Sequence, residues 1–260
     1  MRLSVGSRLR YEVRSPTTFV MAIQANGASG EEIVSEQILL PLGVEADFFV
    51  DPLGPSRFVR FMAQPGRVEI AYNAVIEKTP AADQRNFVGS AVINALPPAV
   101  LPYLRPSRYC QSDRLSGFAE REFRRLSQGL GQAQGIADWI FNNVDYRIGA
   151  SNGTTSAIDT LVERAGVCRD FAHLGAALCR ALDLPARVVS CYAWKLWPQD
   201  FHAVFEVFLD GAWVTFDATR LAPLEGLVQI GAGRDAADVA FASFFGQAWL
   251  EDMSINVEAL

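Results

Sequence analysis

The 260-residue chain carries 29 acidic and 23 basic side chains, a formal net charge of −6, and is half hydrophobic and one-fifth charged, an ordinary globular composition. The acidic balance, with no Lys/Arg run of the kind that tracks phosphates, argues against nucleic acid or an anionic membrane as partner. No stretch approaches the ~18 consecutive apolar residues of a spanning helix, and the length allows one large domain or two modest ones, each with a core.

The opening run MRLSVGSRLRYEV has no continuous apolar segment and does not read as a secretory signal. Four cysteines, Cys110, Cys168, Cys179 and Cys191, are too sparse for a disulfide framework, so they are expected as reduced thiols in a cytoplasmic protein. The first eighty or so residues alternate with the period of strands: Leu3 to Val13, Phe19 to Ile23, Ile33 to Leu40, Phe58 to Met62 and Val68 to Ile76. Asn26-Gly27, Ser29-Gly30, Pro52 to Pro55 and Pro65-Gly66 separate them. The expectation is an antiparallel β-rich domain over 1–96, a sandwich or half-barrel. Pro97, Pro98, Pro102 and Pro106 block both helix and central strand, which puts the boundary there and the second domain at 97–260.

Helical spacing follows, with Leu115, Phe118, Ala119, Phe123 and Leu126, then Ile136, Ile140 and Val144. A short capped helix is expected over 155–162, and a small-residue-rich helix over 168–182, opened by Gly166 and stopped by Pro185. Three strands are expected at 186–194, 202–209 and 212–218, the last two joined by the two-residue hairpin loop Asp210-Gly211.

That hairpin fixes a register. Leu209 faces Ala212, Phe205 faces Phe216 and Val204 faces Asp217. One face then gathers Ala203, Phe205, Val207, Leu209, Val214, Phe216 and Ala218, all apolar, and must be the core. The other holds His202, Val204, Glu206, Phe208, Trp213, Thr215 and Asp217, so His202 and Asp217 are diagonal neighbours at roughly 7–8 Å between Cα atoms. A carboxylate there can orient an imidazole. Cys168, at a helix start, sits among free amides and partial positive charge that favour its thiolate and can form part of an oxyanion hole. A nucleophile at a helix N-terminus with a strand-borne His held by a carboxylate is an acyl-transfer constellation.

The runs Gly166-Val167-Cys168-Arg169-Asp170-Phe171-Ala172-His173, Leu184-Pro185-Ala186-Arg187-Val188, Asp200-Phe201-His202-Ala203 and Gly211 to Thr219 resemble the nucleophile, His and Asp segments of bacterial transglutaminase-like proteins. The resemblance extends over about residues 105–246. It implies an α+β, papain-like transglutaminase core, with a helix-borne Cys packed on an antiparallel sheet. It also implies Cys168 as nucleophile, His202 as base and acid, and Asp217 as its orienting group. Val204 and Ala218 depart from the family, which often has an aromatic residue and a proline at those positions. The family commonly supplies a second oxyanion donor upstream of the Cys, where Tyr146 is a candidate by position.

Other polar residues read as structure. His173 lies about 140° around the helix from Cys168, as a structural or cleft-wall histidine, and Cys179 is a core thiol. Cys168, His173, Cys179 and Cys191 cannot converge on one zinc ion, so neither metal nor cofactor is expected. Tyr192, Trp194 and Trp197 read equally as cleft lining or packing. Arg234, Asp235 and Asp238 read as a solvated helix cap. The expected activity is thiol-dependent hydrolysis or acyl transfer at an amide of a protein or peptide substrate, through a Cys168 thioester. The alternative is a non-catalytic peptide-binding module that retains the fold.

Overall fold

The computed structural model describes residues 1–52, 54–79, 89 and 92–260. The amino-terminal strands are β1 (Arg2–Val13), β2 (Thr17–Met21), β3 (Glu31–Leu39), β4 (Ala46–Val50), β5 (Arg57–Ala63) and β6 (Gly66–Lys78). Helices α1 (Ser116–Phe123) and α2 (Leu130–Asn143) follow, then β7 (Asp145–Tyr146), α3 (Ala157–Glu163), β8 (Ala165–Gly166) and α4 (Cys168–Ala181). The chain ends with β9 (Ala186–Ala193), β10 (Phe201–Leu209), β11 (Ala212–Phe216), β12 (Leu227–Gly233), α5 (Ala236–Val239), β13 (Ala242–Phe245) and β14 (Ala248–Ala259).

Among the described residues three four-stranded sheets form, ordered β14-β1-β6-β3, β13-β2-β5-β4 and β11-β10-β9-β12, all with antiparallel pairing. The first two face each other over Leu3, Val5, Leu9, Tyr11, Phe19, Met21, Phe61, Ile70 and Tyr72, the alternating residues of their strands. This is the expected α+β class: a β-rich amino-terminal unit ahead of a helix-on-sheet core. Strands β4, β7, β8, β12, β13 and β14 have no counterpart among the expected strands; of these, β13 pairs with β2, and β14 runs along β1 from Leu3↔Ala259 to Val13↔Ala248. The carboxyl-terminal strands thus complete the amino-terminal sheets.

In the third sheet the pairs Phe205↔Phe216 and Leu209↔Ala212 hold the register expected of the Asp210-Gly211 turn, with both turn residues at positive φ, 46° and 87°. Its apolar face is shared. Phe205, Val207 and Leu209 pack with α4, while Tyr192, Val228 and Ile230 join the core of the amino-terminal sheets. Helix α4 comes close because Gly175 has no side chain: a Cβ there would stand 2.5 Å from the Phe205 ring.

Candidate active site

Cys168 opens α4 after Val167, which is extended. Valine offers no side-chain acceptor, so only half a capping box forms: the Val167 N–H donates to Asp170 Oδ2 at 2.9 Å. Asp170 is fully buried and also accepts from Arg169 at 2.9 Å. Gly166 fits beneath this turn because a Cβ would sit 2.7 Å from Asp170 Cβ. Of the first-turn amides of α4, that of Asp170 donates to the Val167 carbonyl at 2.9 Å, so those of Cys168 and Arg169 are the ones the helix start leaves outside its own ladder. Cys168 is partly exposed, whereas Cys110, Cys179 and Cys191 are buried thiols. Burial pushes the Cys110 thiol up to about 12 and raises those of Cys179 and Cys191, so the three are poor nucleophiles.

His202 lies near the start of β10 and Asp217 just past β11. Across the intervening diagonal His202 Nε2 stands 2.9 Å from Asp217 Oδ2, the side chains being 0% and 3% exposed. The second oxygen, Oδ1, accepts from the Thr219 N–H at 2.9 Å and hydroxyl at 2.7 Å, an Asx-type turn that sets the carboxylate's rotation. Burial alone would lower the imidazole's proton affinity, but the Asp217 bond and the Cys168 side chain outweigh it and raise its pKa to about 10. Burial would raise the Asp217 carboxyl; the His202 bond and charge overcome it and hold it below the usual carboxylate range. The pair is therefore an imidazolium–carboxylate around neutrality. Nδ1 is buried with no hydrogen-bond partner of standard geometry, which leaves it as the nitrogen for exchange with a thiol.

Tyr146, on β7, also borders Cys168. Its phenol is pushed up to about 12 by burial, then by the Cys168 charge, although the residue as a whole is 41% exposed. It is a neutral O–H donor beside the sulfur. On the sheet face that carries His202, Glu206 is taken up by Arg187 at 2.6 Å and by the Thr215 hydroxyl at 3.1 Å.

His173 is fully buried, away from this constellation. Its Nε2 accepts the Ala236 N–H at 3.0 Å and its ring stacks on Tyr109 at 5.2 Å, a structural role. Tyr192 is buried packing and Trp194 packs beside the amino-terminal core, whereas Trp197 is 86% exposed. The patch after Gly233 is a helix cap, with Asp235 accepting the Ala237 N–H at 2.9 Å. Arg234 is exposed and Asp238 partly so, as expected of a solvated cap, whereas Asp235 is 1% exposed and also accepts the Tyr109 N–H. The sequence reading passed over Thr219, whose signal was the Asp-Ala-Thr spacing of an Asx turn. It also passed over Lys195 and Arg220, which no local pattern singles out.

Residues 117–218 match the Transglutaminase-like superfamily, and residues 1–99 match the family described as Bacterial transglutaminase, N-terminal domain. The chain is similar to a solved structure, a candidate cysteine protease from Cytophaga hutchinsonii, at 45% identity and a TM-score of 0.95 over 100% of this chain and 91% of that one. Uncharacterized protein ML0607 of Mycobacterium leprae is 33% identical over 132 residues, 47% of each chain. Uncharacterized protein Rv2569c of Mycobacterium tuberculosis is 30% identical over 119 residues, 40% of this chain and 38% of that one. The chain thus spans about half the length of these curated relatives or less.

Proposed function

The chain belongs to the transglutaminase-like superfamily, a fold of thiol-dependent enzymes, and from that premise we propose that Cys168, His202 and Asp217 catalyse acyl transfer from an amide of a protein or peptide, with water as the usual acceptor. His202 holds on Nδ1 the proton already taken from the thiol, and the Cys168 thiolate Sγ adds to the amide carbonyl carbon. The tetrahedral oxyanion is met by first-turn amides of α4 and by the Tyr146 hydroxyl. His202 then returns its proton to the leaving nitrogen, the C–N bond breaks, and an amine or ammonia departs from a Cys168 thioester. Water, losing a proton to His202, adds to the thioester and releases a carboxylic acid and the thiol. An amine in place of water would form a new amide instead.

The observation that carries this reading is the buried 2.9 Å contact between His202 Nε2 and Asp217 Oδ2, beside a partly exposed thiol at a helix start. The test is the pH dependence of iodoacetamide alkylation at each cysteine, read by mass spectrometry. Cys168 is expected to react fast at pH 6, well below an ordinary thiol's pKa of about 8.5, and to lose that reactivity in His202→Ala. A Cys168 rate no faster than that of buried Cys110 would overturn the reading. Peptide hydrolysis set against incorporation of a labelled amine then separates the two acceptors.

A further inference from the structure

A cavity of about 560 Å³ opens beside the site, on Asp217 rather than on Cys168. Its walls are Gln134 and Ala137 of α2, Lys195 of the β9–β10 loop, and the segment from Arg220 to Leu224 that follows β11. The lining mixes apolar side chains, Phe216 and Leu221 to Leu224 among them, with two basic ones, Lys195 and Arg220. Lys195 lies 4.1 Å over the Trp194 ring and makes no ion pair with a carboxylate among the described residues. Arg220 pairs with Asp138 through one nitrogen and stacks 4.1 Å over Phe141. Both hold left-handed backbone, φ 66° at Lys195 and 57° at Arg220, a conformation costly for such side chains and concentrated at binding sites. Asp217, the one carboxylate of the lining, is neutralised by His202, so the cavity presents net positive charge beside its apolar side chains.

We infer that this cavity holds the leaving side of the substrate, and that it selects a leaving fragment carrying a carboxylate close to the scissile amide. The inference rests on the acyl-transfer reading of Cys168 and His202. During the reaction the acyl part stays on Cys168, while the leaving nitrogen must reach His202 to be protonated. The leaving fragment therefore extends past His202 toward Asp217, where the cavity begins. Lys195 is the cation left to meet its charge, and Leu221 to Leu224 meet the flanking apolar atoms. The carboxylate could belong to an acidic side chain or to a peptide C-terminus.

A leaving fragment alone suffices as probe, so the acyl side need not be known. Glu-Ala-amide, Lys-Ala-amide, Ala-Ala-amide and free-acid Ala-Ala are compared by the concentration that halves iodoacetamide labelling of Cys168, and by calorimetric titration of the full-length Cys168→Ala protein. At least one of the two carboxylate probes is expected to bind about fivefold more tightly than its uncharged or cationic counterpart, the effect of one solvent-exposed charge pair. Glu-Ala-amide ahead of Ala-Ala-amide assigns the side chain, and free-acid Ala-Ala ahead of its amide assigns the C-terminus. Lys195→Gln should erase the preference and Lys195→Glu reverse it. Equal binding of all four probes, no binding of any, or an order unaltered in Lys195→Glu would overturn the inference. Slow Cys168 labelling in the unmodified protein would instead count against the catalytic reading, and the calorimetric comparison on Cys168→Ala still decides the cavity.

Discussion

Asp217 does two separable things for His202: it fixes the ring's rotation and it supplies a charge. Asp217→Asn keeps an oxygen in place, held by Thr219, and removes the charge. The His202 pKa should then fall from about 10, and Cys168 alkylation at pH 6 should slow by about tenfold or more, since each pKa unit is a factor of ten in protonation. A rate unchanged in Asp217→Asn would mean that the carboxylate only positions the ring. Tyr146→Phe removes the proposed oxyanion donor and should lower kcat by roughly 10²–10³-fold with KM little changed; a change confined to KM would make Tyr146 a binding residue. His173 gives a stability signature instead. Burial holds its pKa down to about 4, below the unfolded value near 6.5, so between those values the unfolded chain binds the extra proton. Stability present above pH 6.5 is therefore lost as pH falls toward 4, by up to about 3 kcal/mol. Urea midpoints measured over that window should slope less in His173→Gln. At this scale the sequence was informative where a period or a turn spoke for a residue: the Asp210-Gly211 register put His202 and Asp217 on one surface. Tyr146 was visible only by position, because two-residue β7 brings it to Cys168 through parallel pairing with β8, a contact no local pattern encodes.

Helix α4 shows how an element can be clear in sequence while its seat is not. Its expected span, 168–182, differs by one residue from Cys168–Ala181, since Gly166 and Pro185 punctuate it. That it lies on Phe205 is decided by Gly175, and spacing could not say so. Glycine costs a helix about 1 kcal/mol relative to alanine, so Gly175→Ala gains that much locally. The new Cβ would meet the Phe205 ring at 2.5 Å, and that ring is fully buried and stacked on Phe216 at 5.4 Å, so it cannot yield. Overpacking of this kind costs about 1–3 kcal/mol; the net expectation is a loss of about 1 kcal/mol in urea unfolding, relieved when Phe205→Leu is added. A gain in stability would mean that the helix can move off the sheet. Strands β9 to β11 were equally legible, whereas β12, β13 and β14 were not. The run Leu227 to Gly233 carries three glycines or alanines in an unbroken buried stretch, which hides a period of two. Strand β14 is mostly exposed along Trp249 to Met253, and its partner lies at the other end of the chain.

Over the whole molecule, the question is whether the proposed division at 96/97 separates two folding units or only two stretches of sequence. The structure gives a reason to expect the second. Strands β13 and β14 belong to the second stretch and pair with the first, and Tyr192, Val228 and Ile230 of the catalytic sheet are core residues of the amino-terminal sheets. Tyr192 is the tightest of these ties. Its hydroxyl donates to the Ile23 carbonyl at 2.6 Å and bonds the Ser7 hydroxyl at 3.0 Å. Its ring packs on Tyr72 at 6.3 Å and on Phe201 at 5.4 Å, and Phe201 directly precedes His202. Tyr192→Phe removes the hydroxyl alone and should cost about 1 kcal/mol. Tyr192→Ala opens a cavity in the shared core and should cost about 3–5 kcal/mol, lowering the urea midpoint in one transition reported alike by both units. It should also slow Cys168 alkylation at pH 6 under native conditions, because the strand that carries His202 loses the packing of Phe201. Two separate transitions in Tyr192→Ala, with Cys168 reactivity intact, would show the amino-terminal sheets to be an independent unit. One shared transition with weakened reactivity would make them part of the scaffold that aims His202.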